Sequence, residues 1–401
     1  MSESRKIVLV LGNGFDLDLG LKTSYKDFWE SKFCPKDYPA PLIHHLNQRW
    51  PDNLEAVKWY DLENELLNYY KGLHNLKDGE DILTEEEKVF LKDFSSYGFA
   101  CHWYDDKIDL LQSLVDKGVL LYSARPIPAM DEHLKEDALK SPIWRDRKAL
   151  DLIKEGLYKY LKSIEKPIPE NLSIAFQLLL AISKCVEAGN SVSIYTFNYT
   201  RVQMRGHNLR DVPVNYMHGS CEDGKIIVGT RDGTPMEPEY DFLQKVMDDS
   251  FSPPDIVSAL NKTDEVIIFG HSLGENDRQY FEQFFSQQAS IDNLTKKDIF
   301  IFTRDDTSKV EIKRALKSLT GDRLSMLMSI NQPAIIRTGN LKADQKLLYN
   351  FLVAHHTDER YASEVIGKIL VNESKREGRD SSQELHVLHR KVPTCEHLFL
   401  V

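Results

Sequence analysis

Residues 7–16 read Ile-Val-Leu-Val-Leu-Gly-Asn-Gly-Phe-Asp. Five apolar residues break into a glycine-bearing turn and then into a helix-like pattern. Such a run reads as a strand buried on both faces of a parallel sheet, with the turn at its carboxyl end. At that end backbone N–H groups meet a phosphate, and Gly12 and Gly14 keep side chains out of its path. The stretch therefore predicts a nucleotide-binding α/β domain, with Gly12, Asn13, Gly14, Phe15 and Asp16 as the first ligand-binding turn. Asp16 fits two roles, a helix cap or a partner for a ribose hydroxyl. The turn is not the dehydrogenase fingerprint G-x-G-x-x-G. Leu17 holds the third glycine's place, and no strand ending in an acidic residue follows about 20 residues on.

Working outward, Thr23-Ser24-Tyr25-Lys26-Asp27 places an acidic residue three after a hydroxyl, which predicts a helix start near Ser24. Residues 34–53 are rich in Pro and His and read as an irregular connection. From 54 to 189 the pattern is mainly helical. Leu62, Leu66, Leu67 and Tyr70 form one stripe, Ile108, Leu111, Leu114 and Val115 another, and Leu172, Phe176, Leu179 and Leu180 a third. This region reads as a large helical insertion.

Strand patterns resume at Val192–Phe197, Val214–Met217, Ile226–Val228, Glu265–Phe269, Ile299–Phe302 and Ala334–Ile336, with helical patterns at 241–248, 277–288 and 308–317. Strands alternating with helices predict a parallel sheet with helices on its faces. The expected organisation is a Rossmann-like core of residues 1–33 and 190–345, a helical insertion of 54–189, and a C-terminal helix and tail of 346–401. Residues 373–383 read as solvated and disordered.

Composition narrows the classes of function. The chain has 401 residues, 41% hydrophobic and 28% charged, with 51 basic against 62 acidic side chains and a net charge of -11. An acidic surface argues against binding a nucleic-acid backbone. The five cysteines, Cys34, Cys101, Cys185, Cys221 and Cys395, form no C-x-x-C pair, so no thiolate metal site and no disulfide framework is expected. With no apparent signal peptide and no apolar run near the ~18 residues of a membrane span, a cytoplasmic protein is expected.

Three later segments place polar residues just after apolar runs, where an open α/β sheet gathers its ligand contacts. They are Thr196-Phe197-Asn198-Tyr199-Thr200, Tyr216-Met217-His218-Gly219-Ser220 and Gly270 to Asp277. Asn198 carries donors and an acceptor on a short arm, suited to a sugar or a water, or to an Asx-turn. His218, at a bend with Gly219, is a candidate proton acceptor. Gly270 and Ser272 suit a phosphate, or Ser272 a helix cap. Asp277 fits the first turn of a helix. In Trp59-Tyr60-Asp61-Leu62-Glu63-Asn64-Glu65, a solvated acidic face is the commoner outcome than a metal site.

These blocks together resemble the AbiH family of bacterial proteins associated with abortive infection by phage. The resemblance rests on L-G-N-G-F-D-L-D-L-G-L-K-T-S-Y-K-D-F (11–28), W-Y-D-L-E (59–63), T-F-N-Y-T (196–200), M-H-G-S (217–220) and F-G-H-S-L-G-E-N-D (269–277). A more distant resemblance is to the sirtuin-like NAD-binding fold, through Gly12 and Gly14, Asn198, His218-Gly219 and Gly270 to Ser272. It implies NAD as ligand or substrate, with Asn198 and His218 acting at the nicotinamide–ribose bond. It also implies that Gly12, Gly14, Gly219, Gly270 and Ser272 hold the nucleotide, and Asn13, Phe15, Asp16 and Asp277 complete the expected binding set. No metal is expected, and the cysteines cannot form a sirtuin zinc module. The expected function is antiphage defence by binding and hydrolysing a nucleotide, NAD first. The alternatives are a non-catalytic nucleotide sensor and a nucleic-acid-acting toxin, for which Arg201, Arg205 and Arg210 supply a modest basic run. The expected partners are the nucleotide and a phage-derived trigger, with no membrane; a homo-oligomer is left open.

Overall fold

A computed structural model describes residues 4–50, 61–78, 84–87, 89, 110, 137, 140–164, 173–202, 209, 211–293 and 295–376. The chain folds into two units. One comprises Met1–Lys22, Glu165–Met217 and Ser252–Val401; the other comprises Thr23–Ile164 and His218–Phe251.

The first unit is built on a six-stranded sheet of β1 (Lys6–Leu11), β2 (Ser191–Thr196), β3 (Val214–Tyr216), β4 (Glu265–Phe269), β5 (Asp298–Thr303) and β6 (Ala334–Arg337). Every pairing is parallel, in the order β3-β2-β1-β4-β5-β6. This is the Rossmann-like α/β architecture that the 7–16 stretch predicts, with its reversal of strand order between β1 and β4.

Alternation along the strands builds two apolar layers. Ile7, Leu9, Leu11, Ile194, Ile267, Phe269 and Phe302 face the helices Ile174–Glu187, Leu341–Ala354 and Glu359–Arg376. Val8, Val10, Val266, Ile268, Ile299 and Ile301 face Ile256–Lys262, Arg278–Gln288, Asp306–Leu319 and Leu324–Ile330. Full burial of such a side chain contributes roughly 2 kcal/mol. The central strands gain this on both faces, which explains their unbroken apolar runs. Leu11 pairs with Thr196 on β2 and with Phe269 on β4, so three strands end level. The loops that follow them leave the sheet along one edge.

The second unit is largely helical. Ser24 caps Tyr25–Trp29 in a capping box with Asp27, as the sequence predicts. Leu62–Asp78 buries Leu62, Leu66, Tyr69 and Tyr70, while Pro142–Ile164 buries Ala149, Leu150, Ile153 and Leu157. Three expectations change. Residues 34–53 contain the helix Pro41–Arg49, because Pro41 occupies the first turn, where a missing N–H costs nothing, and Leu42, Ile43 and Leu46 form its buried stripe. Ile226–Val228 is no strand; its residues are buried in this helical unit, and Ile227 N–H donates to the His218 carbonyl at 3.0 Å. Residues 241–248 form two short 3-10 helices, Pro238–Leu243 and Lys245–Met247.

The helix Ile174–Glu187, expected in the insertion, packs on the sheet through Ile174, Leu178 and Ile182. Ile108, Leu111, Leu114 and Val115 of the second stripe, Leu172 of the third stripe, and residues 377–383 lie outside the described residues. Among the described residues no helix is long and apolar enough to cross a membrane.

Candidate functional site

At the level ends of β1, β2 and β4 three sequence segments meet. Backbone hydrogen bonds hold the glycine turn from the β4 side. Gly12 N–H donates to the Phe269 carbonyl at 2.9 Å, Gly14 N–H to the Gly270 carbonyl at 3.0 Å, and Phe15 N–H to the Gly12 carbonyl at 2.9 Å. A Cβ on Gly12 would stand 2.6 Å from the Gly270 oxygen, and one on Gly14 would stand 2.7 Å from the Gly270 Cα. The bare Cα atoms are thus required by the close passage of the two loops. The N–H groups of Gly12, Gly14 and Phe15 thus have their acceptors inside the protein. The Phe15 ring is buried edge-on against Phe269, with centroids 5.6 Å apart, and faces the core.

The other residues of the turn are tied to β2. Asn198 is 7% exposed; its Nδ2 donates to the Gly12 carbonyl at 3.0 Å, and its N–H donates to Thr196 Oγ1 at 3.1 Å. Asp16 is buried inside the helix Asn13–Asp18, whose N-cap is Gly12, so it is not the cap. Its carboxylate accepts from Thr200 Oγ1. Two residues on, Asp18 accepts from Ala175 N–H at 2.7 Å, at the start of Ile174–Glu187. Asn198, Asp16 and Asp18 therefore each fasten one chain segment to another.

From β4, Gly270 turns in the left-handed region at φ +64 and leads into His271. Leu273 N–H donates to His271 Nδ1 at 3.0 Å, and His271 Nε2 lies 3.2 Å from Asp277 Oδ2. An Nδ1 that accepts bears no proton, so Nε2 carries it and donates to Asp277. The ring is buried against Phe197, with centroids 4.2 Å apart. Asp277 sits at the N-cap of Arg278–Gln288, yet its side chain makes no capping bond and serves His271. Ser272 is exposed and caps no helix; the 3-10 turn Glu275–Asp277 begins from Gly274. Sequence reasoning missed His271 as a structural centre, because its partner is six residues away and no helical or strand period links them.

His218 and Gly219 belong to the helical unit. Gly219 has φ +79, and a Cβ there would stand 2.4 Å from the Lys225 carbonyl oxygen, so this bend demands glycine. His218 is 5% exposed, and its Nε2 lies 3.1 Å from Lys245 Nζ. Lys245 is itself 2% exposed and pairs with Glu63 Oε2 at 2.9 Å. Glu63 and Lys245 both escaped the sequence reading, the first as part of a presumed solvated face and the second within a presumed regular helix.

The rest of that acidic segment is also accounted for. Asp61 Oδ1 accepts from Asn64 N–H at 3.0 Å, and Glu65 accepts from Arg49 Nε at 3.1 Å. Among the described residues no group of three or more His, Cys, Asp and Glu is placed to hold a metal. Cys221 is buried and takes part in no disulfide. A hollow of about 280 Å³ in the helical unit, lined by Lys154, Tyr158, Lys225, Ile226, Ile227 and Asp248, includes none of the candidate catalytic or nucleotide-binding residues.

A family model described as bacteriophage abortive infection AbiH matches residues 8–296, well over half of the chain. No curated protein and no solved structure gives a significant match. These comparisons support the AbiH resemblance and lend no support to the sirtuin-like one.

Proposed function

Because this chain belongs to the AbiH family of bacteriophage abortive infection proteins, we propose that it serves that defence by binding a nucleotide at the carboxyl edge of its parallel sheet. One observation carries the reading. The β3-β2-β1-β4-β5-β6 order reverses between β1 and β4, and polar residues from three loops are held around that point. Open α/β sheets bind ligands in the crevice outside such a reversal.

In this reading Gly12, Gly14 and Gly270 act by shape, keeping the edge narrow. Ser272, exposed on the β4 loop, offers a hydroxyl to phosphate or ribose. Asn198 turns its amide from Gly12 to a sugar hydroxyl or a water. NAD is the first nucleotide to test. Hydrolysis of its nicotinamide–ribose bond passes through an oxocarbenium-like sugar, which asks for a held ribose and a placed water more than for covalent chemistry. A second reading, a nucleotide sensor without turnover, is favoured by one fact. Asn198 and His218 are both already engaged, by Gly12 and by Lys245.

The test is calorimetric titration of the full chain with NAD, alongside chromatographic measurement of released nicotinamide. Asn198→Ala is expected to weaken binding about tenfold, the scale of one lost hydrogen bond to a polar ligand. Binding with nicotinamide release that both Asn198→Ala and His218→Ala abolish, in variants that stay folded, supports hydrolysis. Binding without release supports the sensor. No binding of NAD, ADP-ribose or ATP at millimolar concentration overturns nucleotide recognition.

A further inference from the structure

Two of the sequence blocks, W-Y-D-L-E and M-H-G-S, are joined by a residue that lies in neither. Glu63, the second residue of Leu62–Asp78, and His218 both touch the amino group of Lys245. Lys245 is fixed by its backbone as well. Its N–H donates to the Thr230 carbonyl at 3.1 Å, and Thr230 N–H donates to the Leu243 carbonyl at 2.7 Å. Gly229 lies so close to this stretch that a Cβ there would stand 2.8 Å from the Lys245 nitrogen. A long, charged side chain so confined has given up its rotamer freedom and its water, and depends on its protein partners, Glu63 and His218 among them.

The placement of protons follows from the donors available. Burial alone strips a proton from lysine, but a carboxylate at 2.9 Å favours the ammonium. An ammonium has three N–H donors and no lone pair. At 3.1 Å from it, His218 Nε2 is therefore the acceptor. A second positive charge on the ring would lie beside the ammonium in a medium that screens poorly, so the imidazolium is disfavoured. A neutral ring with a lone pair on Nε2 carries its proton on Nδ1.

We infer that Lys245 and Glu63 are positioning residues that hold His218 neutral and in one tautomer, as a hydrogen-bond donor at Nδ1 and not as a general base at Nε2. This refines the part that His218 takes in the proposed nucleotide chemistry, and it rests on that reading only for its use, not for the state of the ring. A neutral imidazole that donates suits the stabilisation of a developing negative charge or the holding of a phosphate or hydroxyl oxygen. It does not suit removal of a proton from water unless the lysine first withdraws.

The state of the ring is read directly by long-range proton–nitrogen correlation on the full chain labelled with nitrogen-15 histidine, at neutral pH. The His218 signals are those lost in His218→Gln. The expected wild-type pattern is a protonated Nδ1 and an unprotonated, hydrogen-bonded Nε2. Lys245→Met is expected to shift the ring to the Nε2–H tautomer or to a mixture. Lys245→Arg, still a donor without a lone pair, is expected to restore the wild-type pattern. An imidazolium or an Nε2–H form in the wild-type protein overturns the inference whether or not any variant folds, and so does an unchanged pattern in a folded Lys245→Met. NAD titration of the same sample separates the two claims. Wild-type protein that shows the expected tautomer but binds no nucleotide leaves the positioning pair standing and removes the proposed function.

Discussion

Gly270→Ala is expected to remove about 4 kcal/mol of folding stability, a large share of the 5–15 kcal/mol that a domain typically has. Two costs add. The residue sits at φ +64, where an L side chain pays about 1 kcal/mol or more. Its Cβ would stand 2.4 Å from Phe15 N, 2.5 Å from Gly14 C and 2.5 Å from Gly14 Cα. All three are backbone atoms in the first turn of the helix Asn13–Asp18 that follows β1, so no rotamer change relieves the overlap. Forcing an extra carbon into such a site typically costs 1–3 kcal/mol and occasionally more. Gly20 provides the control, because it has φ +83 and a Cβ there would find nothing within 4 Å. Gly20→Ala should therefore lose only the conformational part, about 1 kcal/mol. Urea unfolding midpoints of the two variants measure the difference. Equal losses would show that the β1 and β4 loops yield easily, and the narrow edge would lose its physical basis.

That contrast also shows where sequence reading stops. The run at residues 7–11 was legible because a strand covered on both faces must be apolar throughout, and few other environments ask for that. The Ser24 and Asp27 pair was legible because a capping box is a local device three residues long. The glycines at 12 and 14 were legible as a turn but not as to purpose. A bare Cα that admits a phosphate and one that admits the Gly270 backbone look identical in a sequence. The helix Pro41–Arg49 was hidden because proline and paired histidines imitate a loop, although proline in a first helical turn is favourable. His271 with Asp277, and Glu63 with Lys245 and His218, were invisible for a different reason. No backbone period connects their members; packing alone brings them together. The same holds for Asp16 and Thr200, which lie 184 residues apart and meet through one hydrogen bond.

Asp146 was silent in the sequence, and it carries the second large effect. It lies in Pro142–Ile164, fully buried, where its Oδ1 accepts from Leu42 N–H at 2.8 Å and its Oδ2 accepts from Tyr69 Oη. One carboxyl group thus joins three helices of the second unit. Burial pushes its pKa up to about 7, against the opposing pull of the Tyr69 and Leu42 hydrogen bonds and the Arg145 charge. In the unfolded chain the same group titrates near the ordinary value of 3.8. Between about pH 4 and pH 7 the folded protein therefore holds a proton that the unfolded chain has released. Stability must fall as pH rises through that window and level off above it. A displacement of about three pKa units corresponds to a loss on the order of 4 kcal/mol.

Asp146→Asn separates this from every other titrating group. The amide has the same shape, accepts from Leu42 through its oxygen and donates to Tyr69 through its nitrogen, but it never ionises. Urea midpoints of variant and wild type should lie close together near pH 4.5 and diverge as pH rises to 8, with the variant the more stable. Parallel curves would mean that Arg145 and the two hydrogen bonds keep the carboxylate ionised in the interior at all these pH values. In that case the group would join the helices as a buried ion pair, and its replacement by asparagine would cost stability at every pH, because Arg145 would lose its counter-charge.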